Sequence, residues 1–411
     1  MKTPASTQSG QLDPQFGHGG LLKVEIPSGD FRARGVLDAA QAIYLLGVVS
    51  SEPAALTILK LDAEGRLDTS FGTGGMVMHR VVEGYMVSDV RGTIQPDGRI
   101  LATCLCTPEP GQATTAGLLV VRCMADGRLD LGFGDGGFKL WRGEWTSAQN
   151  NGGVTVQPDG KIVVAGWGGG GATGINIVLC FLPSGGFDAG FGQGGVVREL
   201  RGFTNFNDVE IRQDGHILVG GYNVGVAAIF CYRTDGSPDP GFAEDGMLRM
   251  PDNGPPTMHF NCIAMQPGAH VVGAGIFVVE SLISDGIVVR ATPAGQLDPA
   301  FNGGELLHLP ERMDQCMDIA IDGEGRLITL GRVKSDSKAV AICRLLADGS
   351  LDASFGDAGV FIFHIPPAIE PPATVLMQDL LIQSPGKALV ISYSAPPIDA
   401  RIGPLIARIL I

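Results

Sequence analysis

The strongest constraint on this chain is a phrase that it repeats. Gly65-Arg66-Leu67-Asp68-Thr69-Ser70-Phe71-Gly72-Thr73-Gly74-Gly75 recurs in near-copies of the form Gly-x-Leu-Asp-x-x-Phe-Gly-x-Gly-Gly. The copies start near residues 10, 65, 127, 185, 236, 295 and 349, with their Phe at Phe16, Phe71, Phe133, Phe191, Phe242, Phe301 and Phe355. Successive Phe residues lie 55, 62, 58, 51, 59 and 54 positions apart. A period of this size marks a repeat architecture, in which one supersecondary unit cannot bury its apolar face alone and stacks on the next.

Each repeat reads as four short strands. A strand follows the Gly-Gly, as in Met76-Val77-Met78-His79, and a variable loop comes next. A second strand then runs into a turn such as Pro96-Asp97-Gly98 or Pro158-Asp159-Gly160. Pro presets φ there, Asp bonds its own backbone and Gly takes positive φ, so the flanking strands form a hairpin. The returning strand, Ile162-Val163-Val164-Ala165 for example, and a last one, such as Val120-Val121-Arg122-Cys123, lead back to the phrase.

Four antiparallel strands per period make a propeller blade. Pro404–Ile411 has the pattern of the strand that precedes a phrase, and the phrase that would follow it stands at Gly10–Gly20, ahead of Leu21–Ile26. The expected fold is all-β, a single seven-bladed β-propeller over residues 1–411. Its N-terminal strand would complete the C-terminal blade in a three-plus-one closure that hides the sheet edges.

Composition agrees with this. Gly numbers 61, charged residues make up only 18%, and no window shows convincing helical periodicity. A net charge of −14 without basic runs argues against nucleic acid and anionic membranes, because phosphate neutralisation needs clustered Lys and Arg. No apolar span reaches the ~20 residues of a membrane helix. No apolar leader opens the sequence, so a cytoplasmic, monomeric protein is expected, with export by another route left open. Most of the eight Cys, including Cys123, Cys180, Cys231 and Cys343, sit inside apolar strands and read as buried thiols.

The doubled motif, the Gly-x-Leu-Asp-x-x-Phe-Gly-x-Gly-Gly phrase plus Gln157-Pro158-Asp159-Gly160-Lys161-Ile162, resembles the delta-60 repeat family of bacterial proteins. The repeat is also similar to the NHL propeller repeat. These resemblances imply a propeller with no defined activity, in which the strand after Gly-Gly is outermost and the strand before Pro-Asp-Gly is innermost. Three copies depart from the phrase, at Ala243 to Gly246, at Asn302-Gly303-Gly304 and at Ala358, which leaves their turn geometry open.

The search for chemistry returns little. The phrase aspartates, Asp13, Asp68, Asp130, Asp188, Asp239, Asp298 and Asp352, come one per repeat, whereas Ca²⁺ takes six to eight oxygens. Capping of the turn, or pairing with a base such as Lys60, Arg122, Arg290, Arg344 or Arg408, is the simpler role. Gly166-Trp167-Gly168-Gly169-Gly170-Gly171 fits a dinucleotide fingerprint in letters, but a strand follows it rather than a helix. No zinc pair, nucleophile elbow or phosphate loop is present. No catalytic residues are assigned.

What remains is the face around the central channel. Aligned on the hairpin turns, the innermost strands start at Arg34, Arg91, Gly153, Asp208, Cys262, Asp318 and Asp379. The loops before them add Phe31, Arg32, Tyr85, Asp89, Trp145, Asn150, Asn151, Phe203, Asn205, Phe206, His259, Asn261, Arg312 and Asp314. Such a polar and aromatic mixture suits recognition. The favoured expectation is a non-catalytic binding or scaffolding propeller, without a cofactor, that takes a protein, glycan or small molecule at Arg34, Arg91, Trp145, Phe203, Phe206, Asp208, His259, Asn261, Asp318 and Asp379. The alternative is a metal-dependent hydrolase or lactonase, with Asp208, Asp318 and Asp379 around an axial cation such as Ca²⁺.

Overall fold

The computed structural model describes residues 9–26, 29–80, 82–112, 115–143, 145, 148–169, 174–202, 204–251, 257–280, 283–309, 313–333, 336–366, 374–383, 386–395 and 403–411. Each repeat forms an antiparallel four-stranded sheet, and seven such sheets make the propeller. Blade 1 consists of Phe31–Leu37, Ile43–Val49, Leu56–Leu61 and Met76–His79, in spatial order. In the seventh sheet, Thr374–Gln383, Lys387–Ala395 and Pro404–Leu410 are joined by Leu21–Lys23, with Leu21 opposite Ala407 and Lys23 opposite Leu405. Gln11–Leu12 pairs with the same strand at Leu410 and Ile409.

The innermost strands are Phe31–Leu37, Tyr85–Ile94, Ala148–Val156, Thr204–Ile211, Thr257–Gln266, Met313–Ile321 and Thr374–Gln383. Each packs on the next, and the last packs on the first, so they enclose an axis. The core lies between neighbouring sheets, as in the group made by Leu46, Ile58 and Phe71 of blade 1 with Ile100, Ala102 and Leu119 of blade 2. Alternation puts one face of every strand into the seam on each side, which is why the middle strands are apolar throughout. All eight cysteines are buried and free. No helix among the described residues is long and apolar enough to cross a membrane.

The phrase is a joint between blades. Its seven Phe side chains are at most 2% exposed. Its first glycine abuts the phrase of the preceding blade: at Gly65 (φ +80°) an added Cβ would come within 2.7 Å of the Phe16 ring. Gly10 makes the same approach to the backbone of Phe355 and Gly356, and its N–H donates to Leu410.

The aspartate of the phrase does two jobs at once. In all seven copies Oδ1 accepts the backbone N–H two residues on, from Gln15, Ser70, Gly132, Gly190, Gly241, Ala300 and Ser354. Oδ2 faces a base, such as Lys60 on Asp68, Arg122 on Asp130, Arg290 on Asp298 and Arg344 on Asp352. Where Cys180 and Cys231 replace that base, the inner hairpin supplies one instead, through Lys161 for Asp188 and Arg212 for Asp239. The departures from the phrase keep its backbone shape: Ala243, Asp245, Asn302 and Ala358 all take positive φ where other copies use Gly.

Candidate functional site

The innermost strands are longer than the sequence pattern suggests, and their hydrogen-bond register slips near the middle. Slips separate Ser88 from Arg91, Asn151 from Gly153, Phe206 from Asp208, Phe260 from Cys262, Cys316 from Asp318, and Met377 from Asp379. Blade 1 alone runs through without a slip. The seven residues expected to start these strands are therefore mid-strand, each following the bulge where one exists. A bulge re-aims the side chains beside it. Here it turns a ring of them toward the axis.

The channel encloses a cavity of about 610 Å³, and Arg34, Arg91, Asp208, Cys262, Asp318 and Asp379 all line it. Glu210, two residues beyond Asp208 and hence on the same strand face, forms part of its wall. Its counterparts are Val36, Thr93, Thr155, Ala264, Ala320 and Leu381, so Glu210 is the single charge at that level. The sequence reading passed it over, although the alternation from Asp208 pointed to it.

Most polar groups in the ring staple one blade to the next. Asp89 accepts the Asn151 N–H at 2.8 Å, and Asn150 donates to Phe206 O at 2.8 Å. Asn207 donates to Phe260 O at 2.7 Å, and Asp208 accepts the Ile263 N–H at 2.9 Å. Asn261 donates to Cys316 O at 2.7 Å, and Asp318 accepts the Leu380 N–H at 2.7 Å. Asp379 accepts the Gly35 N–H at 2.8 Å, while Arg34 reaches back to Gln378 O and Asp379. At the remaining seam no hydrogen bond joins Phe31–Leu37 to Tyr85–Ile94 among the described residues. Blade 1 places Arg34 where an acceptor would stand, and that arginine is engaged with blade 7.

A second cavity of about 400 Å³ opens at this seam, between Ala33, Arg34 and Val48 on one side and Val87, Asp89 and Val90 on the other. Arg32 lies over the Tyr393 ring there, 5.8 Å from its centre. Arg34 lines both cavities.

Crowded walls make the channel electrostatically strained. Burial pushes the Glu210 carboxyl up to about 8, with the Asp208 and Asp318 charges adding to it. Burial and the nearby Asp379 push Asp318 up to about 7. Asp208 is also raised by burial, against the opposing pull of Arg91. Arg91 is lowered by burial and by the neighbouring Arg34 guanidinium, and its Nε is shut away from solvent with no partner among the described residues.

Several sequence expectations change. Trp145 and Phe206 are fully buried and offer no surface to a ligand. The Trp145 indole packs edge-on against Trp141 and donates Nε1–H to Ile175 O, while Phe206 packs on Phe230. Their size and apolarity put them in the seams between blades, where most of the hydrophobic area is. Phe203 and Arg312 lie outside the described residues. His259 is half-buried beside Tyr222, where burial lowers its imidazole pKa and a hydrogen bond with Asn261 partly offsets the effect. Asp208, Asp318 and Asp379 do line one cavity, but their oxygens are taken, by strand N–H groups in all three and by Arg34 as well in Asp379. Among the described residues no group of three His, Cys, Asp or Glu is placed to hold a metal ion.

Three segments, 157–191, 212–242 and 325–355, match the family described as "Domain of unknown function (DUF5122) beta-propeller". This supports a β-propeller repeat family. Each matched segment runs from the turn after an innermost strand to the Phe of the phrase. No curated protein matches the chain in sequence. Solved structures similar to it include a protein of unknown function from Dyadobacter fermentans, with 12% identity over 80% of this chain and 96% of that one and a TM-score of 0.44. A Lactobacillus plantarum protein has 13% identity over 80% and 87% of the two chains, with a TM-score of 0.45. The PQQ-bound aldose sugar dehydrogenase of Streptomyces coelicolor has 12% identity over 94% and 97%, with a TM-score of 0.42. Likenesses this distant carry no functional argument.

Proposed function

We propose that this protein is a non-catalytic binding propeller that takes a small polar ligand into its axial channel. The observation that carries this reading is Arg91. It is a guanidinium lining a concave cavity of about 610 Å³, with a buried Nε that no group among the described residues satisfies, in a ring where most other polar groups staple blades together. Buried polar atoms without partners are rare in native proteins. A cavity of a few hundred Å³ with a small number of convergent polar groups is the ordinary form of a small-molecule site. The burial of Trp145 and Phe206 takes away the aromatic anchors that a protein or glycan surface would use.

The test is a melting-temperature screen of small metabolites and sugars against the wild-type protein and Ala320→Trp, which puts an indole into the channel wall. A compound class should raise the melting temperature of the wild type and leave the variant unmoved. If every hit shifts both proteins equally, or none shifts the wild type, the channel is not a ligand site.

A further inference from the structure

The channel carries unlike charges, of which only Arg34 and Asp379 form an ion pair among the described residues. Arg34 and Arg91 belong to blades 1 and 2, close enough to repel. Arg34 gives Nη1 to Asp379 at 3.0 Å, whereas Arg91 makes no ion pair among the described residues. On the opposite side, both carboxylate oxygens of Asp208 and of Asp318 accept backbone N–H bonds. Glu210 lines the same cavity one level deeper, with no cation paired to it. Resting on the reading of the channel as a small-molecule site, we propose that its ligand is a small zwitterion. Its carboxylate would lie on Arg91 beside Arg34, and its ammonium group against Glu210 and Asp318, whose carboxyls would ionise on meeting it.

Charge excludes the simpler ligands. A simple anion drawn to Arg91 would also meet the carboxylates of Asp208 and Asp379, and like charges within a few ångströms in a poorly solvated channel repel strongly. A simple cation drawn to the acids would meet two guanidiniums, only one of them paired. A molecule bearing both charges satisfies each wall and is repelled by neither, which gives selectivity by penalising the alternatives. The planar guanidinium of Arg91 suits a carboxylate, which it can bind through two parallel N–H bonds. Among the described residues no acid or amide of the ring joins the innermost strands of blades 1 and 2, as they do at the other seams, and this leaves the arginine available.

The test uses the whole protein and calorimetric titration with the ω-amino acids from glycine to 6-aminohexanoate, and with glycylglycine. N-acetylglycine and glycinamide serve as singly charged controls, and glucose as a neutral one. At least one zwitterion should bind tenfold or more tightly than either control, with an optimum length that reports the spacing of the two subsites. Arg91→Gln and Glu210→Gln should each weaken that zwitterion at least tenfold, and Arg91→Lys should restore part of the loss. Melting curves of the unliganded variants establish that they are folded. Equal binding of the singly charged controls, or no effect of Arg91→Gln in a folded variant, overturns the zwitterion. If glucose or a singly charged control binds and Ala320→Trp abolishes it, the channel remains a site and the zwitterion falls. If no probe binds the wild type, the zwitterion falls, and the broader screen alone decides the fate of the channel.

Discussion

Arg408 donates through Nε to the Asp13 carboxylate at 2.8 Å, although 395 positions separate them in the chain. Blades 2, 5 and 6 make the same contact between residues only eight apart, Arg122 with Asp130, Arg290 with Asp298 and Arg344 with Asp352. In each case the guanidinium also lies over the phrase Phe, 4.6 Å from the Phe16 ring for Arg408. Arg408 further donates to Ala63 O and Glu64 in the next blade. One side chain therefore ties the last sheet, the first phrase and blade 1 together.

Removing this arginine should be expensive. Both partners are almost fully buried, at 1% and 4% side-chain exposure, so Arg408→Ala leaves the Asp13 charge with only the more exposed Lys387, at 3.4 Å. Breaking a buried pair from one side costs about 3–5 kcal/mol. Arg128→Ala, which removes an 82%-exposed side chain from a pair with Asp126, should change stability by less than ~0.5 kcal/mol. Urea unfolding of the two variants beside the wild type measures the contrast.

Acid should loosen the same joints. Burial alone would raise the Asp13 carboxyl, but the Gln15 N–H, Arg408 and Lys387 outweigh it and hold the pKa below its ordinary 3.8. Asp188 is lowered chiefly by its bond with Lys161. A carboxyl whose folded pKa is depressed contributes stability above its unfolded value, and that contribution disappears as pH falls through the folded value. The melting temperature should drop steeply below about pH 4, as these phrase carboxylates take up protons. In Asp13→Asn the drop should be smaller, from a lower starting point at neutral pH.

Glu210 carries the opposite sign. Its folded pKa of about 8 exceeds the ordinary 4.5, so the folded state holds the extra proton between those values. Stability contributed there is complete below about pH 4.5 and is lost as pH rises toward 8. Glu210→Gln should leave the melting temperature nearly unchanged at pH 5 and make the protein more stable than wild type at pH 9, by on the order of 2 kcal/mol. An unchanged pH profile in this variant would show that the carboxyl is not held neutral in the channel.

Two phrase positions are open to improvement. Ala243 and Ala358 hold φ of 46° and 51°, where the corresponding Gly72 and Gly74 sit at 55° and 62°. An L-residue with a Cβ pays roughly 1–2 kcal/mol in this region, and Gly returns part of that gain through its more flexible unfolded chain. Ala243→Gly and Ala358→Gly should each stabilise the protein by about 0.5–1 kcal/mol, measured by thermal or denaturant unfolding.

The repeat made most of the architecture readable in advance. The spacing of Phe16 to Phe355 set the blade number, the Pro-Asp-Gly turns marked the innermost strands, and Asp13 and its equivalents were legible as turn caps and partners for bases. Each of these depends on local geometry repeated seven times, and local geometry follows from residue type. The candidate site was legible only in part. Arg34, Arg91, Asp208, Asp318 and Asp379 do meet at the axis, because alternation along a strand fixes the face each one occupies. Trp145 and Phe206 were misplaced, because a loop aromatic can turn outward to a ligand or inward to a seam, and only the packing of the neighbouring blade decides which.

The sequence by itself thus determined the number of blades, the joints between them and the residues on the channel face, since all three are periodic. Tertiary structure alone decided which of those residues are spent and which are free. Six bulges carry six inner strands to within bonding distance of a neighbour, so Asp208, Asp318 and Asp379 each give one oxygen to the next blade's backbone. Blade 1 lacks the bulge and turns Arg34 back toward blade 7, which leaves the Arg91 Nε without a hydrogen bond among the described residues. That distinction lies in distances across seams, and a one-dimensional pattern does not contain them.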